Sequence, residues 1–147
     1  MGFVDNDAFN RSYTKNPFNF KNFDLRHVNI YLDGQQNQIK PLKMNFGHNE
    51  YIMAFLNLFI GSGKGLTDEG NQLDRTDFKD GYAIYAFDLT PDMSEDTHFN
   101  LLKEGNLRID VTFGTALPNT VNAIIYFEFE NVLKISRNRF ILFDYSN

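Results

Sequence analysis

Residues 122–135 read NAIIYFEFENVLKI, the longest run of strand pattern in the chain. Ala123, Ile125, Phe127, Phe129, Leu133 and Ile135 fall on one parity, and Glu128, Glu130 and Lys134 on the other. A period of two predicts a strand with one face in a core and the other largely in water. Ile124, Tyr126 and Val132 interrupt the wet face, so a neighbouring sheet or another subunit is expected to cover part of it.

Working outward, residues 106–113 alternate more cleanly, with Leu107, Ile109, Val111 and Phe113 against Arg108, Asp110 and Thr112. Residues 114–120 join that run to the opening stretch, which predicts an antiparallel pair. A last run over residues 139–145 returns after a turn at residues 136–138. Toward the N-terminus, Val28, Ile30 and Leu32 mark a strand, and Asp33-Gly34 is a hairpin signal. Ile39, Leu42, Met44 and Phe46 form its weaker return, interrupted by Pro41. Ala83, Tyr85, Phe87 and Leu89 place a further strand over residues 82–89. Phe3-Val4 resembles the end of a strand that began earlier.

The period changes once. Residues 48–60, HNEYIMAFLNLFI, set Ile52, Phe55, Leu56 and Phe59 at helical spacing, with Asn49 as N-cap and Gly61 as the stop. This helix is apolar nearly all round, so a sheet or loop is expected to cover it. Residues 61–81 then form a long polar loop. One helix, seven or eight strands and no alternation of strand and helix predict an all-β, mainly antiparallel, jelly-roll β-sandwich over residues 1–147 as one domain, with the helix in a long inter-strand connection.

The chain has 147 residues, 16 Phe, 7 Tyr, no Trp, no Cys and a net charge of −5. The absence of cysteine excludes disulfides and thiolate chemistry. The scattered basic residues argue against a nucleic-acid surface, and no apolar run approaches a membrane span.

Residues 61–65, GSGKG, lack the spacing of a phosphate-binding loop, because Leu58 and Gly65 stand where glycine and Ser or Thr are needed. His27, His48 and His98 share no metal-ligand spacing. Asp68, Glu69, Asp74 and Asp77 are a loop cluster without the calcium-loop pattern, and read better as solvated charge. Glu128 and Glu130 lie on one strand face, without other marks of a cleft. No catalytic residue, cofactor or metal is expected.

Seven phrases, in order, resemble one family: GFVDNDAFNRSYTKNPFNFKNFDL (residues 2–25), VNIYLDGQQ (28–36), SGKGLTDEGNQLDR (62–75), GYAIYAFDLTPD (81–92), HFNLLKEGNLRIDVTF (98–113), ALPNTVNAIIYFEFENVLKISRNR (116–139) and FDYS (143–146). The family is the major capsid protein of Polinton (Maverick) elements and adintoviruses, and the likeness is to its C-terminal part. The resemblance implies a double jelly-roll protein, several times longer than this chain, whose pseudo-hexagonal trimers tile an icosahedral shell. It makes this chain the second jelly roll, located in a virion, with other capsid subunits as partners and neither nucleic acid nor membrane in direct contact. Phe18, Phe20 and Phe23, together with Ile124, Tyr126 and Val132, are then the expected subunit-interface residues. A competing expectation is a jelly-roll lectin or adhesin, reading a glycan or receptor with Tyr13, Asn16, Asn19 and Asn22. A cupin-type enzyme would need a histidine and carboxylate cluster that the residues do not supply.

Overall fold

The computed structural model describes residues 1–36, 41–65, 68, 70–89, 105–128, 133–137, 139 and 141–143. Among these the regular structure is mostly antiparallel strand, with a few short helices. Strand β1 (Gly2–Asp5) leads into a single helical turn, α1 (Asn6–Phe9). Strand β2 (Phe20–Lys21) and the long β3 (Leu25–Leu32) follow, then two short strands, β4 (Gln35–Gln36) and β5 (Leu42–Lys43). A 3₁₀ turn (Phe46–His48) precedes the helices α2 (Ile52–Ile60) and α3 (Arg75–Lys79). Strands β6 (Asp80–Gly81), β7 (Leu107–Phe113), β8 (Val121–Ile124), β9 (Leu133–Ile135) and β10 (Ile141–Phe143) complete the order.

The organising strand is β3. Leu25, Val28 and Ile30 are buried on it. Along one edge β7 pairs with it from Leu25↔Phe113 to Leu32↔Leu107, with a bulge between Leu25 and His27. β4 pairs at Tyr31–Leu32 and β5 at His27–Val28. Because β7 runs the length of one edge, β4 and β5 share the other. The Asp33-Gly34 turn behaves as predicted: φ is 53° and 76°, the doubly left-handed turn whose twist matches the flanking strands. The Asp33 carboxylate also accepts the Asn106 amide at 2.9 Å, tying the start of β7 to this turn.

Among the described residues, the predicted pairing of residues 106–113 with the run beginning at Asn122 is not formed. β7 pairs with β3, and β8 pairs with β1 from Gly2↔Ile124 to Asp5↔Val121. Residues 114–120 carry the chain from one ladder to the other instead of closing a hairpin. The two ladders meet in the core, where Phe3 of β1 lies edge-on to Phe113 of β7 with ring centroids 5.4 Å apart. On its other side β1 bridges residues 84–85, and the Ala83 amide donates to the Phe20 carbonyl at 3.0 Å, so residues 82–85 link β1 to β2. Ala83 and Tyr85 are buried, as their parity predicts.

The continuous strand expected over residues 122–135 is also corrected. β8 ends at Ile124, residues 125–128 are not strand, and the next strand among the described residues is β9, which pairs with β10 in the predicted final hairpin. Phe129 and Val132 lie outside the described residues. Ala123, Ile125, Phe127 and Ile135, expected in the core, are exposed, whereas Ile124 is half-buried. Ile125 and Phe127 lie beyond the end of β1, which reaches no further than Gly2 opposite Ile124, whereas Ala123 is exposed although it pairs with Phe3.

Helix α2 forms, but it is rotated from the predicted face. Tyr51, Ala54 and Leu58 are buried with Phe55 half-buried, while Ile52 and Leu56 face outward. Asn49 is not the N-cap: it adopts φ 58° and closes the 3₁₀ turn, while Asn45 caps that turn by accepting the His48 amide. Tyr51 sets the rotation. Its ring stacks on Phe46 at 4.9 Å and on Phe78 at 5.9 Å, and stacked aromatics bury more surface than the aliphatics turned outward. Gly61 ends the helix as predicted, its amide donating to the Asn57 carbonyl at 2.8 Å.

Phe78 is fully buried at the centre of this cluster, with Phe46, Tyr51, Phe55 and Tyr85 around it at 5.8–6.4 Å. The loop read as polar therefore supplies a central core residue, on a helix that sequence reasoning missed. No described helix is long and apolar enough to cross a membrane.

Candidate self-association surface

Phe18, Phe20 and Phe23 descend from a proline turn into β2 and β3. Pro17 cannot donate to a ladder, and the Asn16 carboxamide accepts the Phe18 amide at 2.9 Å, which holds the Phe18 ring out on a tight turn. Phe18 is 71% exposed. Phe20 is half-buried against β1: a Cβ added at Gly2 would lie 2.7 Å from the Phe20 ring, so the ring rests on bare backbone that only glycine provides. Phe23 is half-buried against the core at φ 46°, in a turn closed by the Leu25 amide on the Asn22 carbonyl. The chain's own packing thus takes up much of Phe20 and Phe23, and leaves Phe18 outside.

On the opposite edge of β1, Ile124 faces Gly2 and is half-buried. Beyond it Ile125 is 41%, Tyr126 80% and Phe127 42% exposed. Phe20 and Ile124 are therefore both neighbours of Gly2, and Tyr126 stands two residues further along. Val132 is outside the described residues.

Helix α2 adds apolar surface that sequence reasoning assigned to the interior. Ile52, Met53, Leu56 and Ile60 form an exposed stripe. Ile52 and Met53 border a shallow groove with Lys43, Asn49, Glu50 and Arg75. The signal was present: a helix apolar nearly all round has more apolar surface than one packing face can hide.

The other residues weighed from sequence have local roles. Asp74 and Asp77 form a capping box at the start of α3. His27 lies on β3 opposite Lys43 and Thr112, His48 is exposed in the 3₁₀ turn, and His98 and Glu69 lie outside the described residues. Among the described residues no three histidines or carboxylates gather as a metal site. A small polar recess beside α1, lined by Asp5, Asn6, Asp7, Lys15, Asn119 and Thr120, holds its acids in lysine pairs: Asp5–Lys21 at 2.6 Å and Asp7–Lys15 at 3.2 Å. Of the residues weighed for glycan contact, Tyr13 is exposed. The Asn16 and Asn22 carboxamides are engaged with nearby backbone, Asn22 accepting the Asp24 amide at 2.8 Å and donating to the Lys79 carbonyl at 2.9 Å.

Two groups are shifted by burial alone. The Tyr85 phenol is pushed well above its ordinary range, and the Met1 amino group, which donates to the Tyr85 carbonyl at 2.8 Å, is held below its usual value. Both lie in the seam between β1 and residues 82–85, away from the exposed surface.

No family model matches the chain, and no solved structure matches it. It is similar to the Caenorhabditis elegans "Uncharacterized protein F54H12.2", at 27% identity over 138 residues. That match takes in 92% of this chain and 33% of the worm protein, so the chain spans about a third of the length of the curated relative it matches.

Proposed function

We propose that the chain is a structural shell module, the second jelly roll of a double jelly-roll capsid protein, which works by self-association into trimeric capsomers. The ordered phrases quoted above supply the family reading, and the antiparallel strand content is compatible with it. The single observation that carries self-association is the apolar run at the end of β8. Tyr126 is 80% exposed between Ile125 and Phe127, each more than two-fifths exposed, beside a half-buried Ile124. A contiguous exposed apolar patch is costly in water and marks a surface that another protein covers. Phe18 and the outer stripe of α2 extend the apolar surface available to neighbouring subunits. A relative about three times as long leaves room for a further jelly roll and for shell-forming segments.

Sedimentation velocity over a wide concentration range, with negative-stain microscopy, tests the proposal on the protein made from the reading frame that contains this chain. Trimers or larger shells are expected. A well-folded monomer at the highest concentration overturns it.

A further inference from the structure

Strand β7 has an open side. Among the described residues it is paired along one edge only, with β3 from Leu25↔Phe113 to Leu32↔Leu107. Val111 is 37% exposed although Val28, directly opposite it on β3, is buried, so the apolar face of the sheet reaches β7 with surface still to cover. On the outer face the Arg108 guanidinium lies over the Tyr31 ring, 4.3 Å from its centroid, and pairs with the Asp110 carboxylate of its own strand at 3.1 Å.

Natural sheet edges are blunted by short length, lysine, proline or bulges. β7 has seven residues, no lysine and no proline, and its two charges are opposite in sign and two positions apart. That spacing makes the strand complementary to itself. When a second β7 is laid antiparallel along the open edge with the two-fold axis at Ile109, Arg108 of each copy stands opposite Asp110 of the other, and Leu107 stands opposite Val111. Each charge then has an opposite charge along its own strand and another across the pair, while Leu107, Ile109 and Val111 continue the apolar face. The neighbouring registers fail. Centring on Asp110 sets two aspartates face to face, and centring on Arg108 sets two arginines face to face. A slip of one residue turns the polar side chains of one copy onto the apolar face of the other.

We propose that the open edge of β7 receives the β7 strand of a second copy of this chain, in a two-fold contact centred on Ile109 that joins the two sheets into one. Such a contact uses the same patch on both partners. Main-chain hydrogen bonds hold the pair, and the Arg108 and Asp110 side chains set its register, with directly opposed Cβ atoms about 4.5–5.5 Å apart. The contact goes beyond the capsomer reading, because a two-fold pair cannot close a three-fold ring; within a shell it links one capsomer to the next. Its ladder is built without Phe18 and Tyr126, the exposed rings on which the capsomer reading draws.

Charge exchange tests this on the chain itself, with sedimentation equilibrium and hydrogen–deuterium exchange as readouts. Arg108→Asp makes the edge acidic and Asp110→Arg makes it basic, so each is expected to weaken two-fold association at least about tenfold. An equimolar mixture of the two proteins places opposite charges across the pair again, and the double variant Arg108→Asp/Asp110→Arg does so within one protein. Both are expected to associate within about threefold of the unsubstituted chain. The two side chains are 64% and 44% exposed, so the substitutions leave the fold in place, which circular dichroism checks. An unsubstituted chain that stays monomeric at the highest concentration overturns the inference. Single variants that associate as the unsubstituted chain does, or a mixture or folded double variant that stays apart, also overturn it. Slow exchange of every β7 amide in the dilute monomer does so too, since the chain itself then covers the edge. Trimers that survive both single substitutions, without dimers, keep the capsomer and remove the edge contact. Dimers rescued by mixing, without trimers, do the reverse.

Discussion

Asp74 and Asp77 cap one helix reciprocally: the Asp74 carboxylate accepts the Asp77 amide at 2.7 Å, and the Asp77 carboxylate accepts the Asp74 amide at 3.1 Å. This satisfies donors that the first turn of α3 would otherwise leave open. Asp74→Ala should therefore cost about 1 kcal/mol, read as a lower midpoint in urea unfolding. Millimolar calcium should leave the wild-type midpoint unchanged, because both carboxylates are already committed to the backbone.

That cap matters because α3 delivers Phe78 to the core. Phe78 is fully buried among four aromatic rings. Phe78→Ala should cost roughly 3–5 kcal/mol, near the total stability of a marginal domain. Loss of a cooperative thermal transition would be the expected result. Phe78→Leu, which keeps most of the volume, should retain the transition at a lower temperature.

The Tyr85 hydroxyl is buried without a hydrogen-bond partner among the described residues. Burial raises its pKa above the ordinary value of 10.0, so the unfolded chain loses this proton first as pH rises. The folded state then binds more protons, and stability falls with increasing pH above about 10. Tyr85→Phe should be neutral, or stabilising by up to about 1 kcal/mol, at pH 7. It should also flatten the alkaline limb of the stability profile, measured by urea titrations from pH 8 to 11.

Tyr126 is placed to separate folding from association. With its ring mostly in water, Tyr126→Ser should change the stability of the isolated chain by less than about 0.5 kcal/mol. If the ring is an anchor between subunits, the same change should weaken self-association by at least about tenfold, equivalent to roughly 1.4 kcal/mol. Analytical ultracentrifugation of both proteins measures this directly.

Where backbone chemistry is local, the elements were legible in the residues. Asp33-Gly34 demands a left-handed turn, and Val28, Ile30 and Leu32 supply the strand before it, so the β3–β4 hairpin needs no distant information. The stop at Gly61, the buried parity of Ala83 and Tyr85, and the final hairpin of β9 and β10 belong to the same class. Helix α3 was equally local and was missed. Asp-x-x-Asp before Phe78 is a capping pattern, which the surrounding charge made look like a solvated loop.

The candidate surface was legible only in part. Phe18 and Tyr126 are as exposed as an interface requires, whereas Phe20 and Phe23 share their surface with the chain's own core. An alternating pattern identifies a pair of faces without saying which elements stand beside them.

Residues 122–135 show the division most clearly. Their composition determined that strand backbone would form there, since β-branched and aromatic side chains suit a pleated surface, and β8 and β9 occupy its two ends. Tertiary structure alone decided that β8 would pair with β1 and not β7, and that residues 125–128 would fall beyond the end of that ladder. The reason is physical: side-chain period is a property of one strand, but burial requires a second strand or sheet beside it, and β1 extends only to Gly2.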